Sequence, residues 1–194
     1  MNLVFDLDGT LIHYINDGNY LPTPIARPNL KSLLQTSFEL CNNVSIWTLA
    51  SQKWLNKCLD QIIYPRLNSS QKFKYLYTEK NCVHKYNNDL MMYQNVTIYK
   101  PLKKLWKKPN FYKPYNTIII EDTPSNCVKN FDNMIIVESW NGDLNDTELY
   151  HLEEYLKNIN SEKENIDYFN VDKFFDVRIY MRKNPYKNNL LTTY

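Results

Sequence analysis

Leu3-Val4-Phe5-Asp6-Leu7-Asp8-Gly9-Thr10-Leu11 carries more information than any other part of this chain. A short apolar run of strand type ends in two carboxylates spaced D-x-D, in what must be a tight loop. One carboxylate in such a loop can attack phosphorus, and the other can manage the proton. Together with a backbone carbonyl they can hold a magnesium ion. This is the pattern of aspartate-based phosphoryl transfer, and it defines what else the chain should contain.

Outward from this loop, short apolar runs alternate with segments of helical period, the arrangement of an α/β domain with a parallel sheet. Strands are expected at residues 3–5, 44–47, 97–99, 117–120 and 134–137. Thr117-Ile118-Ile119-Ile120 has no polar alternation, which suits a central strand covered on both faces. Helices are expected at 28–36, led by Pro28, and at 52–63, where Trp54, Leu55, Cys58, Leu59 and Ile62 form one apolar stripe behind Ser51 as N-cap. Two more are expected at 101–108 and at 147–159, the latter capped by Asp146. Residues 11–26, with Asp17-Gly18-Asn19 and two prolines, read as a hairpin flap near the Asp6 loop. Residues 65–95 are polar and weakly patterned, with a strand at 73–77, and read as a small insertion. The domain is thus assigned to 1–159, and 160–194 to an aromatic, basic C-terminal extension.

In open α/β sheets ligands bind beyond the carboxyl ends of the strands, and the residues expected there form a set. Asp6 and Asp8 follow the first strand, Thr48 the second, Lys100 the third, and Glu121 and Asp122 the fourth. Asp6 would attack phosphorus and Asp8 would protonate the leaving oxygen, then take a proton from water. Lys100, Thr48 and Thr10 would bind the phosphoryl oxygens, Lys100 with help from the helix N-terminus behind it. Asp6, the Asp8 carbonyl and Asp122 would hold Mg2+. Each of these residues alone is a weak signal, since a D-x-D before a helix is often a solvated turn. All of them in this order behind four strands form a much stronger one.

Bulk properties narrow the class. The 194 residues, 43% hydrophobic and 14% aromatic, suffice for one full-sized folded domain. A formal net charge of +2 argues against a general nucleic-acid binder. The four cysteines, Cys41, Cys58, Cys82 and Cys127, form no C-x-x-C pair, so neither zinc nor a disulfide framework is indicated. No apolar run has membrane-spanning length. A soluble intracellular protein is expected, in nucleus or cytoplasm, with its oligomeric state open.

The motifs resemble those of the haloacid dehalogenase superfamily, through Asp6-Leu7-Asp8-Gly9-Thr10, Thr48, Lys100 and Glu121-Asp122-Thr123-Pro124. Within it, Arg27-Pro28, Trp47-Thr48-Leu49-Ala50-Ser51, Glu79…Cys82, Trp140-Asn141-Gly142-Asp143 and Asp146-Thr147-Glu148-Leu149 resemble the small CTD-phosphatase, or NLI-interacting-factor-like, branch. The resemblance spans about residues 1–157. It implies a Rossmann-like parallel sheet flanked by helices, with flap and small β insertion. It also implies magnesium-dependent hydrolysis of phosphoserine or phosphothreonine in proteins, typically the C-terminal repeats of RNA polymerase II. The chain departs from the branch in Gly9, where a glutamate is usual, in Thr78, where an arginine is common, and in Glu121, where an aspartate is usual. Two other readings remain: a phosphatase of nucleic-acid ends or small metabolites, and an inactive scaffold of the same fold.

Overall fold

A computed structural model describes residues 1–18, 20–86, 96–108, 112–130 and 133–162. The chain forms β1 (Asn2–Phe5), a hairpin of β2 (Ile12–Ile15) and β3 (Thr23–Ala26), then α1 (Leu30–Leu40), β4 (Asn43–Trp47) and α2 (Gln52–Cys58). There follow β5 (Leu76–Tyr77), β6 (Val83–Tyr86), β7 (Val96–Tyr99) and α3 (Lys103–Trp106). The last elements are β8 (Thr117–Glu121), β9 (Met134–Ile136) and α4 (Glu148–Glu162). Five strands make one parallel sheet in the order β5-β4-β1-β8-β9, with β1 in the middle.

Side-chain alternation along β1 divides the core in two. Leu3 and Phe5 join Val44, Ile46, Ile118 and Ile120 on one face, against Leu33 and Leu34 of α1 and Leu149, Leu152 and Leu156 of α4. Val4, Trp47 and Ile119 take the other face, with Leu102, Leu105, Tyr112 and Met134. Ile118, Ile119 and Ile120 are all buried, so β8 is covered on both faces as its composition predicts.

The helix ends follow local chemistry. The Ser51 hydroxyl accepts the Trp54 N–H at 3.3 Å and caps α2. The apolar stripe then continues through a π-helical turn, Leu59–Ile63, and a 3-10 turn, Tyr64–Arg66, whose Pro65 cannot supply an α-helical N–H. The Asp146 carboxylate accepts the Glu148 N–H at 3.1 Å at the start of α4. The flap is an antiparallel hairpin, as its turn residues suggest.

Three expectations need correction. The strand expected within the insertion is shorter, Leu76–Tyr77, and pairs parallel with Ile46 and Trp47 as the edge of the main sheet. Conversely, β7 leaves that sheet and pairs antiparallel with β6. Thr97, Ile98 and Tyr99 stay half-exposed, which suits a two-stranded layer better than a central strand. The helix expected at 101–108 is the single turn α3, with the Leu102 N–H at its start accepted by the Asn130 side chain at 3.0 Å. Residues 87–95 of the insertion and 163–194 of the extension lie outside the described residues. Among the described residues, no helix is long and apolar enough to cross a membrane.

Candidate active site

The Asp6 N–H donates to the Ile120 carbonyl at 2.9 Å, continuing the β1–β8 ladder by one residue past the strand end. This fixes a buried carboxylate beside Lys100, whose side chain has no exposed surface. The Lys100 ammonium ion-pairs with Asp6 and, at 2.7 Å, with Glu121. Its main chain is held as firmly: the Lys100 N–H donates to the Asn126 carbonyl at 2.7 Å, and Asn130 Nδ2 donates to the Lys100 carbonyl at 2.6 Å. Burial works against the Lys100 charge, but the Asp6 and Glu121 carboxylates outweigh it and hold the ammonium above its ordinary pKa. Burial pushes the Asp6 carboxyl up, Lys100 opposes it, and Asp122 and Asp8 add to the rise. Glu121 rises through burial and then the Asp6 charge, since two carboxylates share one cation.

Asp8 is gripped at both oxygens. Trp54 Nε1–H donates to Oδ1 at 2.6 Å, and the Thr48 hydroxyl donates to Oδ2 at 3.1 Å. The same hydroxyl accepts the Ala50 N–H at 2.9 Å, so Thr48 is oriented by the turn that follows β4. Burial raises the Asp8 carboxyl above its ordinary range despite these two bonds. A carboxyl that holds its proton more tightly is the form a general acid requires.

Gly9 has φ +77°, and a Cβ there would lie 2.5 Å from Asp122 Oδ2. The D-x-D loop and the end of β8 therefore touch through a position that only hydrogen can fill. Carboxylate oxygens of Asp6, Glu121 and Asp122 lie within 4.8 Å of one another, close enough to share a cation. Within that set Glu121 is the most heavily engaged: Oε2 accepts from Lys100, and Oε1 accepts from both the Thr123 N–H at 3.2 Å and Asn126 Nδ2 at 3.1 Å, whereas each Asp6 oxygen has one donor, Lys100 or the long contact from Thr10 at 3.3 Å. Asp6 and half-buried Asp122 are left as the carboxylates suited to a hard, oxygen-seeking ion, and the residues present fit Mg2+.

The loop is braced from behind. Buried Arg27 pairs with Asp146 through Nε and Nη2, both at 2.8 Å, and its Nη1 donates to the Gly9 and Thr10 carbonyls at 3.2 and 3.1 Å. The Trp140 N–H donates to the Gly9 carbonyl at 2.8 Å, and Trp140 Nε1–H to the Asp143 carbonyl at 2.7 Å. Thr10, expected to bind phosphate, donates to Asp6 Oδ2 at 3.3 Å. Thr78 is buried, and its N–H is accepted by Asn81 at 3.0 Å. Lys104 of the basic cluster donates to the Asn81 and Cys82 carbonyls, which makes it part of the scaffold.

Asp6, Asp8, Thr10, Thr48, Lys100 and Asp122 thus converge beyond the carboxyl ends of the central strands β1, β4 and β8. Trp54, Arg27 and Glu121 hold them there, in roles their sequence positions did not disclose. Trp54 looks like one more apolar residue of its stripe, because periodicity reports the ring and not the N–H. Arg27 offered a faint signal as a charge leading into an apolar helix.

The NLI interacting factor-like phosphatase family matches residues 1–167. The chain belongs to this family. It is 26% identical over 174 residues to CTD small phosphatase-like protein 2 of Dictyostelium discoideum, a match covering 82% of this chain and 27% of that relative. The chain therefore corresponds to about a quarter of that relative's length. Its fold is similar to that of Fcp1, an essential RNA polymerase II CTD phosphatase, with a TM-score of 0.61 at 16% identity over 88% of this chain and 68% of Fcp1. A fission yeast Fcp1 variant bound to beryllium fluoride matches with a TM-score of 0.57, also at 16% identity and with the same coverage of both chains. The family membership and the parallel sheet agree with a haloacid dehalogenase-like phosphatase fold of the CTD-phosphatase type.

Proposed function

We propose that this phosphatase-family domain hydrolyses phosphoserine or phosphothreonine in proteins, in a magnesium-dependent reaction through an aspartyl-phosphate at Asp6. The observation that carries the reading is the division of labour between the two carboxylates of one loop. Asp6 faces an ammonium, and Asp8 faces two neutral donors. Asp6 attacks phosphorus; the P–O bond to the serine or threonine oxygen breaks, and Asp8 gives that oxygen its proton. Asp8 then takes a proton from the water that hydrolyses the aspartyl-phosphate. Lys100, locked by Glu121, neutralises charge on the phosphoryl oxygens, and the Thr10 and Thr48 hydroxyls, which donate to the Asp6 and Asp8 carboxylates, would add hydrogen bonds. Mg2+, held by the Asp6 and Asp122 carboxylates and the Asp8 carbonyl, would offset the repulsion between a carboxylate nucleophile and a phosphate dianion.

A phosphoprotein substrate, with RNA polymerase II C-terminal repeats as the leading candidate, is supported by the family and by the names of the relatives. The short insertion, too small for an enclosing cap, also favours a macromolecular substrate over a small metabolite. The test is hydrolysis of para-nitrophenyl phosphate with and without Mg2+, followed by phosphopeptides set against phosphorylated nucleic-acid ends. Magnesium-dependent turnover that disappears in Asp6→Asn is expected, with phosphopeptides preferred. A folded protein without turnover would favour the scaffold reading, and a preference for nucleic-acid ends would replace the substrate class.

A further inference from the structure

We infer that Trp54 is a positioning residue for catalysis, selecting which oxygen of Asp8 carries the transferable proton. Trp54 is almost wholly buried, and its indole N–H meets Asp8 Oδ1 at 2.6 Å. Its placement is secure on three sides. Its own backbone N–H reaches the Ser51 cap, Tyr14 of the flap packs edge-on against its ring at a centroid distance of 6.2 Å, and the side chain sits in the main core.

The chemistry follows from the donor inventory. An indole N–H donates and never accepts. The bare oxygen of a neutral carboxyl accepts more strongly than the one carrying the proton, so the indole bond at 2.6 Å favours Oδ1 as the bare oxygen of the neutral acid. The proton is thereby favoured on Oδ2. There the neighbour is the Thr48 hydroxyl, which can accept as well as donate and can therefore turn when Oδ2 is protonated. In the forward step the Oδ2–H bond breaks as the leaving oxygen gains that proton and parts from phosphorus. In the return step Oδ2 recovers a proton from water. Without the indole N–H the carboxyl can hold its proton on either oxygen and can rotate away from the productive one.

This inference rests on Asp8 being the acid that protonates the leaving oxygen, and its test separates the two claims. A positioned acid matters most when the leaving group is poor. The wild type is compared with Trp54→Phe on para-nitrophenyl phosphate, unsubstituted phenyl phosphate and a phosphoserine peptide. Trp54→Phe keeps an aromatic ring and removes the donor. In parallel, β-(3-benzothienyl)alanine is placed at position 54; this isostere replaces only the N–H and guards against a folding defect in the phenylalanine variant. The expected result is a loss in kcat of about tenfold or more on the peptide and phenyl phosphate, a fraction of the typical general-acid contribution, but no more than about threefold on para-nitrophenyl phosphate. KM should move little. Equal losses on all three substrates, or no loss with the isostere, would overturn the positioning role while leaving the wild-type reaction intact. Turnover of the peptide and of phenyl phosphate that survives Asp8→Asn would instead overturn the underlying reading, and this inference with it.

Discussion

Gly9 shows how one hydrogen atom shapes the site. Its φ of +77° costs an L-residue about 1–2 kcal/mol, and any Cβ would strike Asp122 Oδ2 at 2.5 Å and Ser139 Oγ at 3.0 Å. Gly9→Ala should therefore push the Asp122 carboxylate away from Asp6 and weaken the proposed magnesium site by about tenfold or more, as loss of support around metal ligands commonly does. A magnesium titration of phosphate-ester hydrolysis, read beside the melting temperature, checks this. Gly18→Ala is the control: φ is +79° there as well, but nothing lies within 4 Å of the added carbon. It should cost stability of about 1 kcal/mol and leave the magnesium dependence as it was. Equal magnesium dependence in both variants would show that backbone strain alone, and not contact with Asp122, governs position 9. The turn requirement at Gly9 is legible in the sequence, whereas the contact with Asp122 is not, because it joins residues 113 positions apart.

The seam between α1 and α4 carries a buried carboxylate. Glu153 accepts from Asn29 Nδ2 at 2.8 Å and from the Thr36 hydroxyl at 2.9 Å, and it pairs with Lys157 at 2.8 Å. Burial raises its pKa, but the hydrogen bonds from Lys157, Asn29, Ser32 and Thr36 together outweigh it and hold the group below its ordinary value of 4.5. A carboxyl depressed in the folded state stabilises at pH above its unfolded value, and that contribution disappears as pH falls through the folded value. Glu153→Gln should thus cost about 1.5–3 kcal/mol near neutrality, the range for hydrogen bonds to a charged group. The gap between variant and wild type should close below pH 4.5, as urea midpoints measured from neutral to acid pH would show. The apolar face of α4 was legible in Leu149, Leu152 and Leu156, but its polar seam was not, since Glu153 has no apolar period to mark it. The same limit explains the strands. β1, β4 and β8 announce themselves because both faces are buried. The short β5 and the half-exposed β7 are assigned to sheets by tertiary pairing, which local composition does not encode. Lys100 nonetheless reaches the site, because its main chain is bonded to Asn126 and Asn130 in the segment that follows β8.

Across the whole molecule, the site is closed by a contact between the two ends of the domain. Arg27 lies between the flap and α1, Asp146 lies just before α4, and the carbonyls that Arg27 also binds belong to the D-x-D loop. Folding of the C-terminal helix onto the sheet is thereby coupled to the geometry of Asp6 and Asp8. The pair is recognisable in the sequence only as Arg-Pro and as a helix cap; that the two are one device depends on a separation of 119 residues. Arg27→Ala should destabilise the domain by about 3 kcal/mol, at the lower end for breaking a buried pair because Asp146 is partly exposed. Lysine at position 27 should recover little, since a single ammonium cannot bridge a bidentate carboxylate and two carbonyls at once. The decisive comparison is a double-mutant cycle with Asp146→Ala in urea denaturation. If the two side chains act together, the second substitution should cost about 1–2 kcal/mol less in the Arg27→Ala background than in the wild type. Phosphate-ester hydrolysis by Arg27→Ala, measured where the variant is still folded, should fall as well, because the Gly9 and Thr10 carbonyls lose the guanidinium that holds the loop. Additive stabilities with undiminished turnover would mean that α4 and the D-x-D loop are merely neighbours.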